Sequence, residues 1–284
     1  MLTAQLDPWL RVTVYLIVVG LALEAAHRAY WSLSRCASRL PVSHAVRAFL
    51  MALAACIPLV TACVVTGVFC LYIDRESLAT IGIRMDLHPS SCIAQGAAIA
   101  FATVTLVFSV GYASGWFRVQ SSRFSGDFYK SLPTFCGGLT DFLNASIFEE
   151  LIMRGYVFTI LYNKVGASPA IIGSALIFSI FHLLKHAQLP VLFTMNAFLF
   201  GIMAAHCRLA TGAIWMPIGL HAGWNLASAS VFGLPFAGKL CNMGLITCSV
   251  DGPKYITGGY YSPDAGLMGT FALAFAASVL TAVC

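Results

Sequence analysis

AVRAFLMALAACIPLVTACVVTGVFCLYI, residues 45–73, decides the fold. It carries one charge, Arg47, near its start, and then stays apolar for longer than the roughly 20 residues a helix needs to cross a hydrocarbon core about 30 Å thick. Comparable stretches at 12–30, 91–113, 134–161, 168–186, 188–206, 212–232 and 264–284 predict an all-α, polytopic transmembrane bundle of about eight helices. The composition agrees. Of 284 residues, 59% are hydrophobic and 10% charged, against roughly a quarter charged in a soluble domain, and no water-facing surface can be built from that.

No internal repeat stands out and the polar connections are too short to fold alone, so residues 1–284 are expected to form a single bundle. The longest connections are 31–44, 74–90, 114–133 and 233–263; the last holds the turn signals Gly252-Pro253 and Gly258-Gly259 and could cap a cavity. Arg28, Arg35, Arg39 and Arg47 around the first connection and Arg118, Arg123 and Lys130 in the third place both in the cytoplasm, with the N-terminus outside. The net charge of +5 is scattered, which excludes a nucleic-acid partner and a polybasic lipid anchor. Ten cysteines contain no CxxC pair and give neither a disulfide framework nor a cysteine zinc site. Only Cys241 and Cys248 share a polar loop where an oxidising compartment would allow a bridge. The first apolar run reads as an uncleaved helix, and Cys284 has no three residues after it to make a prenylation signal.

An ionisable group within a membrane helix costs about 2.5–3.5 kcal/mol on insertion scales and is a functional hypothesis by default. Three stretches break the apolar rule. The fourth contains Glu149, Glu150 and Arg154; Glu150 and Arg154, four apart, can pair on one helical face, while Glu149 points about 100° away. The fifth ends in Phe178-Ser179-Ile180-Phe181-His182, and the seventh holds His221-Ala222-Gly223-Trp224-Asn225. A lone histidine is more often a satisfied core residue than a catalyst. A glutamate, two histidines and an asparagine on three helices are more than packing requires.

Peptide hydrolysis needs an activated water, an oxyanion stabiliser and a proton donor for the leaving amine. Glu149 as general base with His182 sharing the water, and His221 with Asn225 one turn apart as donors to the oxyanion, supply these roles. Glu149-Glu150-x-x-x-Arg154, Phe178-x-x-x-His182 and His221-x-x-x-Asn225, in this order, resemble the motifs of the CPBP family, the CAAX protease and bacteriocin-processing intramembrane endopeptidases. Residues 77–84, Thr211 to Leu220, and the late loop from Asp251-Gly252-Pro253 through Gly258-Gly259 to Ser262-Pro263-Asp264 are also similar to family sequence, so the resemblance covers about 74–284. The first two helices contribute apolarity alone.

The resemblance implies the same allocation of Glu149, His182, His221 and Asn225, with Glu150 and Arg154 as a structural ion pair. Family members are often described as metalloproteases, which makes Glu149, His182 and His221 an alternative zinc set and His186, one turn beyond His182, a further ligand or an interfacial residue. No HExxH is present, and placing both histidines on zinc removes an oxyanion donor, so no metal or other cofactor is favoured. The expected partners are membrane lipid and a peptide or protein substrate, prenylated or not. Two other readings use the same residues: a proton-coupled transporter with a Glu149, His182 and His221 relay, and a non-catalytic membrane scaffold. Abundant Ala and Leu with short loops point to a bacterial cell membrane.

Overall fold

The computed structural model describes residues 7–122, 128–185, 189–236, 238, 240–241 and 244–283. Arg123, His186 and Cys284, singled out in the sequence, lie outside these residues, as do the side chains of Lys130 and Lys185. All eight apolar stretches are helical rods. The first is α1 (Pro8–Arg39), started by Asp7, whose carboxylate accepts from the backbone N–H groups of Trp9 and Leu10. The second is α2 (His44–Ala55) and α3 (Ile57–Val68), broken where Pro58 removes a backbone donor, then a π-helical turn, Phe69–Ile73.

After α4 (Pro89–Ala113) comes strand β1 (Phe117–Ser122). The fourth rod is α5 (Phe128–Glu150), a π-helical segment (Leu151–Val157) and α6 (Phe158–Val165). Then follow α7 (Ala167–Lys185), α8 (Val191–Thr211), and α9 (Trp215–Asn225) with its own π-helical segment (Leu226–Val231). Strand β2 (Ile246–Val250), the short α10 (Lys254–Thr257) and α11 (Leu267–Val283) complete the chain. Among the described residues, five helices are long and apolar enough to cross a membrane, and α11 supplies a shorter apolar one. The rods containing α5 and α9, which are not among those five, carry two of the three polar motifs; π-helix begins directly after Glu150 and after Asn225, so that Arg154 lies within the first π-helical segment. The chain is an integral membrane protein.

The outward faces are those of a lipid-embedded bundle. Ile17, Leu21, Val60, Val64, Ile172 and Phe271 are more than half exposed, a surface that water would disfavour and acyl chains do not. Inside, one apolar cluster runs from Val12 on α1 to Leu280 on α11. The N-terminal helices add more than apolarity: Arg11 pairs with Asp74, and Tyr156 donates to the other oxygen of Asp74 at 2.7 Å, tying α1 to the π-helical segment after α5.

The connections gather at two ends. At one, Ile214 N–H donates to Gly82 O (3.0 Å), Arg208 to Thr80 O (3.1 Å) and the Trp215 indole to Arg84 O (2.7 Å). At the other, β1 and β2 pair antiparallel, with Phe117 opposite Val250 and Ser122 opposite Ile246. Both strands lie in stretches that read as plain polar connections. Cys241 and Cys248 are not bridged: their Sγ atoms donate to Ala229 O and Ser249 O, and burial pushes the Cys248 thiol up to about 11.

Helix α9 packs on α4 with almost no side chain between them. A Cβ on Gly219 would fall 2.2 Å from the Ile93 carbonyl oxygen, and one on Gly223 2.7 Å from Ala97 Cα. Close backbone approach through small residues is how helices associate where lipid gives no hydrophobic drive. It also fixes the direction in which the rest of α9 faces. Gly223→Val should therefore cost roughly 1–3 kcal/mol by overpacking and lower the thermal midpoint in detergent. Gly20→Ala on α1, where an added Cβ meets nothing within 4 Å, should leave that midpoint unchanged or raise it.

Candidate active site

The site is built outward from the end of α5. Glu150 and Arg154 make the expected pair, Nη1 to Oε1 at 3.1 Å, with both side chains fully buried. The guanidinium lies over the Phe178 ring of α7 at 4.5 Å and near the Phe200 ring of α8 at 5.7 Å. These rings supply the cation with a polarisable face where no water reaches. Phe178 also orients the histidine one turn on, because its carbonyl oxygen is 3.0 Å from His182 Nδ1. A carbonyl only accepts, so Nδ1 carries the hydrogen and the neutral ring presents an Nε2 lone pair.

That Nε2 lies 3.7 Å from Glu149 Oε2. From α9, His221 Nε2 approaches the same oxygen at 3.9 Å, while His221 Nδ1 is 2.8 Å from Glu150 Oε1. One turn further, Asn225 is more than nine-tenths buried and lines the same cavity. All four residues expected to share a site therefore do so, around a cavity of about 290 Å³ walled by Phe142, Phe178, Phe193 and Phe200 among others. Adjacent carboxylates face different neighbours: Glu149 lines the cavity, whereas Glu150 is held by Arg154 and His221.

Several contributors were not foreseen. Glu150 is more than a helix-register pair, because its Oε1 also holds His221. Trp224 Nε1 donates to Asp264 Oδ1 at 2.7 Å, and both residues, with Asp141 of α5, line the cavity. Trp224 stood unremarked inside the His221 to Asn225 motif, and Asp264 was visible only as a family-like tripeptide in a loop; nothing local in the sequence joins the two.

The zinc alternative can be tested on donor geometry. The donor types suit zinc, and both Nδ1 atoms are engaged so that both Nε2 atoms turn towards Glu149. Zinc ligands sit about 2.0–2.2 Å from the metal, which places neighbouring donors of a tetrahedron roughly 3.3–3.5 Å apart; here Oε2 is 3.7 and 3.9 Å from the two nitrogens. No cluster of three or more His, Cys, Asp or Glu among the described residues is arranged to hold a metal ion. The residues as placed do not fit a formed zinc centre. His186 lies outside the described residues.

Residues 131–227 match the family model of Rce1-like proteins, the type II CAAX prenyl endopeptidases. This segment resembles that family. It spans about a third of the chain, less than the 74–284 over which the motifs resemble the CPBP family, yet it contains Glu149, His182, His221 and Asn225. The Rce1-like match supports the CPBP family and, with it, a CAAX-type intramembrane endopeptidase. No curated protein and no solved structure matches the chain.

Within the Rce1-like segment the buried pair sets a stability requirement. Removing one partner of a buried ion pair leaves the other charge uncompensated, at roughly 3–5 kcal/mol. Arg154→Ala would leave Glu150 with the His221 imidazole as its partner among the described residues and without its permanent cation, so the expected outcome is a sharp fall in the yield of monodisperse, detergent-purified protein. Size-exclusion profiles of the variant beside wild type measure it.

Proposed function

We propose that the chain is an intramembrane endopeptidase in which Glu149 and His182 activate one water and His221 and Asn225 stabilise the oxyanion. One observation carries this reading: Glu149 Oε2 lies 3.7 Å from His182 Nε2 and 3.9 Å from His221 Nε2, although the three residues come from three different helices. Groups this close can each reach a single water at ordinary hydrogen-bond distance, roughly 2.6–3.2 Å. A water donating one hydrogen to ionised Glu149 and the other to the His182 lone pair turns its own lone pair to the substrate carbonyl.

Attack breaks the carbonyl π bond and leaves a tetrahedral oxyanion; Glu149 takes the proton of the water and later delivers it to the leaving amine. His221 can donate to the oxyanion only with hydrogen on Nε2. Its Nδ1 hydrogen is held by Glu150, so the donor form carries both protons and is cationic. In that form Glu149, Glu150, Arg154 and His221 balance one another in charge, which offsets the cost of burying the four together. Glu150 is thus assigned as a positioning residue for His221 as well as the partner of Arg154. Asn225 gives the second donor.

Following the helices along the chain from β1, the described parts of the two basic connections, 31–44 and 114–133, fall at the β-sheet end, and so do the segments bearing Leu189, Phe236 and Asp264 that line the cavity. By the positive-inside rule this end is cytoplasmic, and the substrate is a peptide bond presented from the cytoplasmic side of the bilayer by a membrane-associated chain. Whether that chain is lipidated does not alter the chemistry.

Glu149→Ala should lower peptide cleavage by roughly 10²–10⁴-fold and Asn225→Ala by roughly 10²–10³-fold, with insertion and purification behaviour retained in both. Quenched-fluorescence peptide turnover by the purified full chain measures this, and undiminished turnover in Glu149→Ala ends the proposal. Cleavage is further expected to persist after chelator treatment, in protein whose metal content, read by mass spectrometry, is well below one ion per chain. Loss of activity that returns only with added zinc would replace the water mechanism with a metal one.

A further inference from the structure

The proposed mechanism leaves one acid of the cavity unused. Asp264, in the connection before α11, is half-buried and lines the same cavity as Glu149, His221 and Asn225. Among the described residues, one of its carboxylate oxygens is engaged, Oδ1 by the Trp224 indole N–H at 2.7 Å. The backbone beneath it is fixed. Asn196 of α8 donates from Nδ2 to the carbonyl oxygens of Asp264 (2.8 Å) and Gly266 (3.1 Å), and Thr270 of α11 donates to Asn196 Oδ1 at 2.8 Å. A carboxylate offers about four acceptor positions, so this one is clamped in place yet largely unsatisfied. That is the condition of a binding group awaiting a donor.

A second observation points to a ligand there. Asn225 is more than nine-tenths buried, lines the cavity beside Trp224, and makes no side-chain hydrogen bond among the described residues. Asp141 on α5 adds another acid to the lining. The lining therefore combines acidic oxygens with aromatic walls, and a cationic side chain meets both preferences, through charge-assisted hydrogen bonds and cation–π contact.

Given the peptidase reading on which this rests, we propose that Asp264 determines specificity by receiving a lysine or arginine side chain of the substrate near the scissile bond. Trp224 stands three residues after His221 and one before Asn225, so the helix that aims the oxyanion donors also aims this carboxylate. A basic side chain anchored there sets the register of the substrate against the activated water. The substrate class that follows is a membrane protein cut at its cytoplasmic flank, where lysine and arginine accumulate beside membrane spans.

The test uses the full-length protein and three peptides that differ only in Lys, Gln or Glu at one position, scanned over the three residues on either side of the cut. At one position the Lys peptide should exceed the Glu peptide in kcat/KM by roughly 10- to 100-fold, mainly through KM, and Asp264→Asn, which keeps an acceptor for Trp224, should reduce that ratio towards one. An absent preference in wild type, or the same ratio in Asp264→Asn, overturns the proposal. Binding of the same labelled peptides to Glu149→Ala protein reads the subsite without turnover. Charge-selective, Asp264-dependent binding with no Glu149-dependent cleavage would reject the peptidase and keep the cation subsite; cleavage without charge selection would do the reverse.

Discussion

The arrangement depends on one buried oxygen. Glu150 Oε1 accepts from Arg154 Nη1 at 3.1 Å and faces His221 Nδ1 at 2.8 Å, with the Glu150 and Arg154 side chains wholly out of contact with solvent. In a protein that spans a membrane such an anion is tolerable only while compensated. Compensation here has a geometric by-product: the cation comes from the same rod, one turn on, but the imidazole comes from α9. Satisfying Glu150 therefore sets the distance between α5 and α9, and with it the separation of Glu149 from His221.

Packing enforces the same geometry from the other side. Gly219 and Gly223 let α9 lie against the backbone of α4, which leaves His221 and Asn225 to face the cavity. The change to π-helix after Glu150 and again after Asn225 shifts the side-chain period within the first motif, ahead of Arg154, and just beyond the last. Such segments are frequent at functional sites. They also interrupt the uniform apolar stripe that would make these two rods ordinary membrane spans.

Much of this was legible from residue order. Apolar length alone located all eight rods, because the hydrocarbon thickness imposes it, and the insertion cost of Glu149, Glu150, Arg154, His182, His221 and Asn225 marked them as a set. The partners of Glu150 were only half legible. Spacing along one helix predicts Arg154, but nothing in the sequence gives the facing direction of α9, which depends on Gly219 and Gly223 meeting Ile93 and Ala97. For the same reason Trp224 and Asp264, forty residues apart in sequence, could not be joined. The pairing of β1 with β2 was hidden too: each strand is short, and their contact spans more than a hundred residues. Nor does anything local give the partner of Arg11, whose pairing with Asp74 beside Tyr156 fastens α1 to the rod that carries the acids.

The adjacency of Glu149 and Glu150 has a physical reason that neither acid explains alone. Two neighbouring residues on a helix point about 100° apart, so a doublet placed at the wall of a cavity sends one carboxylate inward to packed protein and one outward to the lumen. The inward acid is neutralised and immobile; the outward acid inherits its backbone rigidity without sharing its ion pair. A single glutamate could not serve both purposes, since pairing with Arg154 would remove it as a base. Separating the two acids by a turn would aim both at the same side. On the proposed mechanism, the doublet is the shortest sequence that fixes a base in hydrocarbon while leaving its charge available to a reacting water.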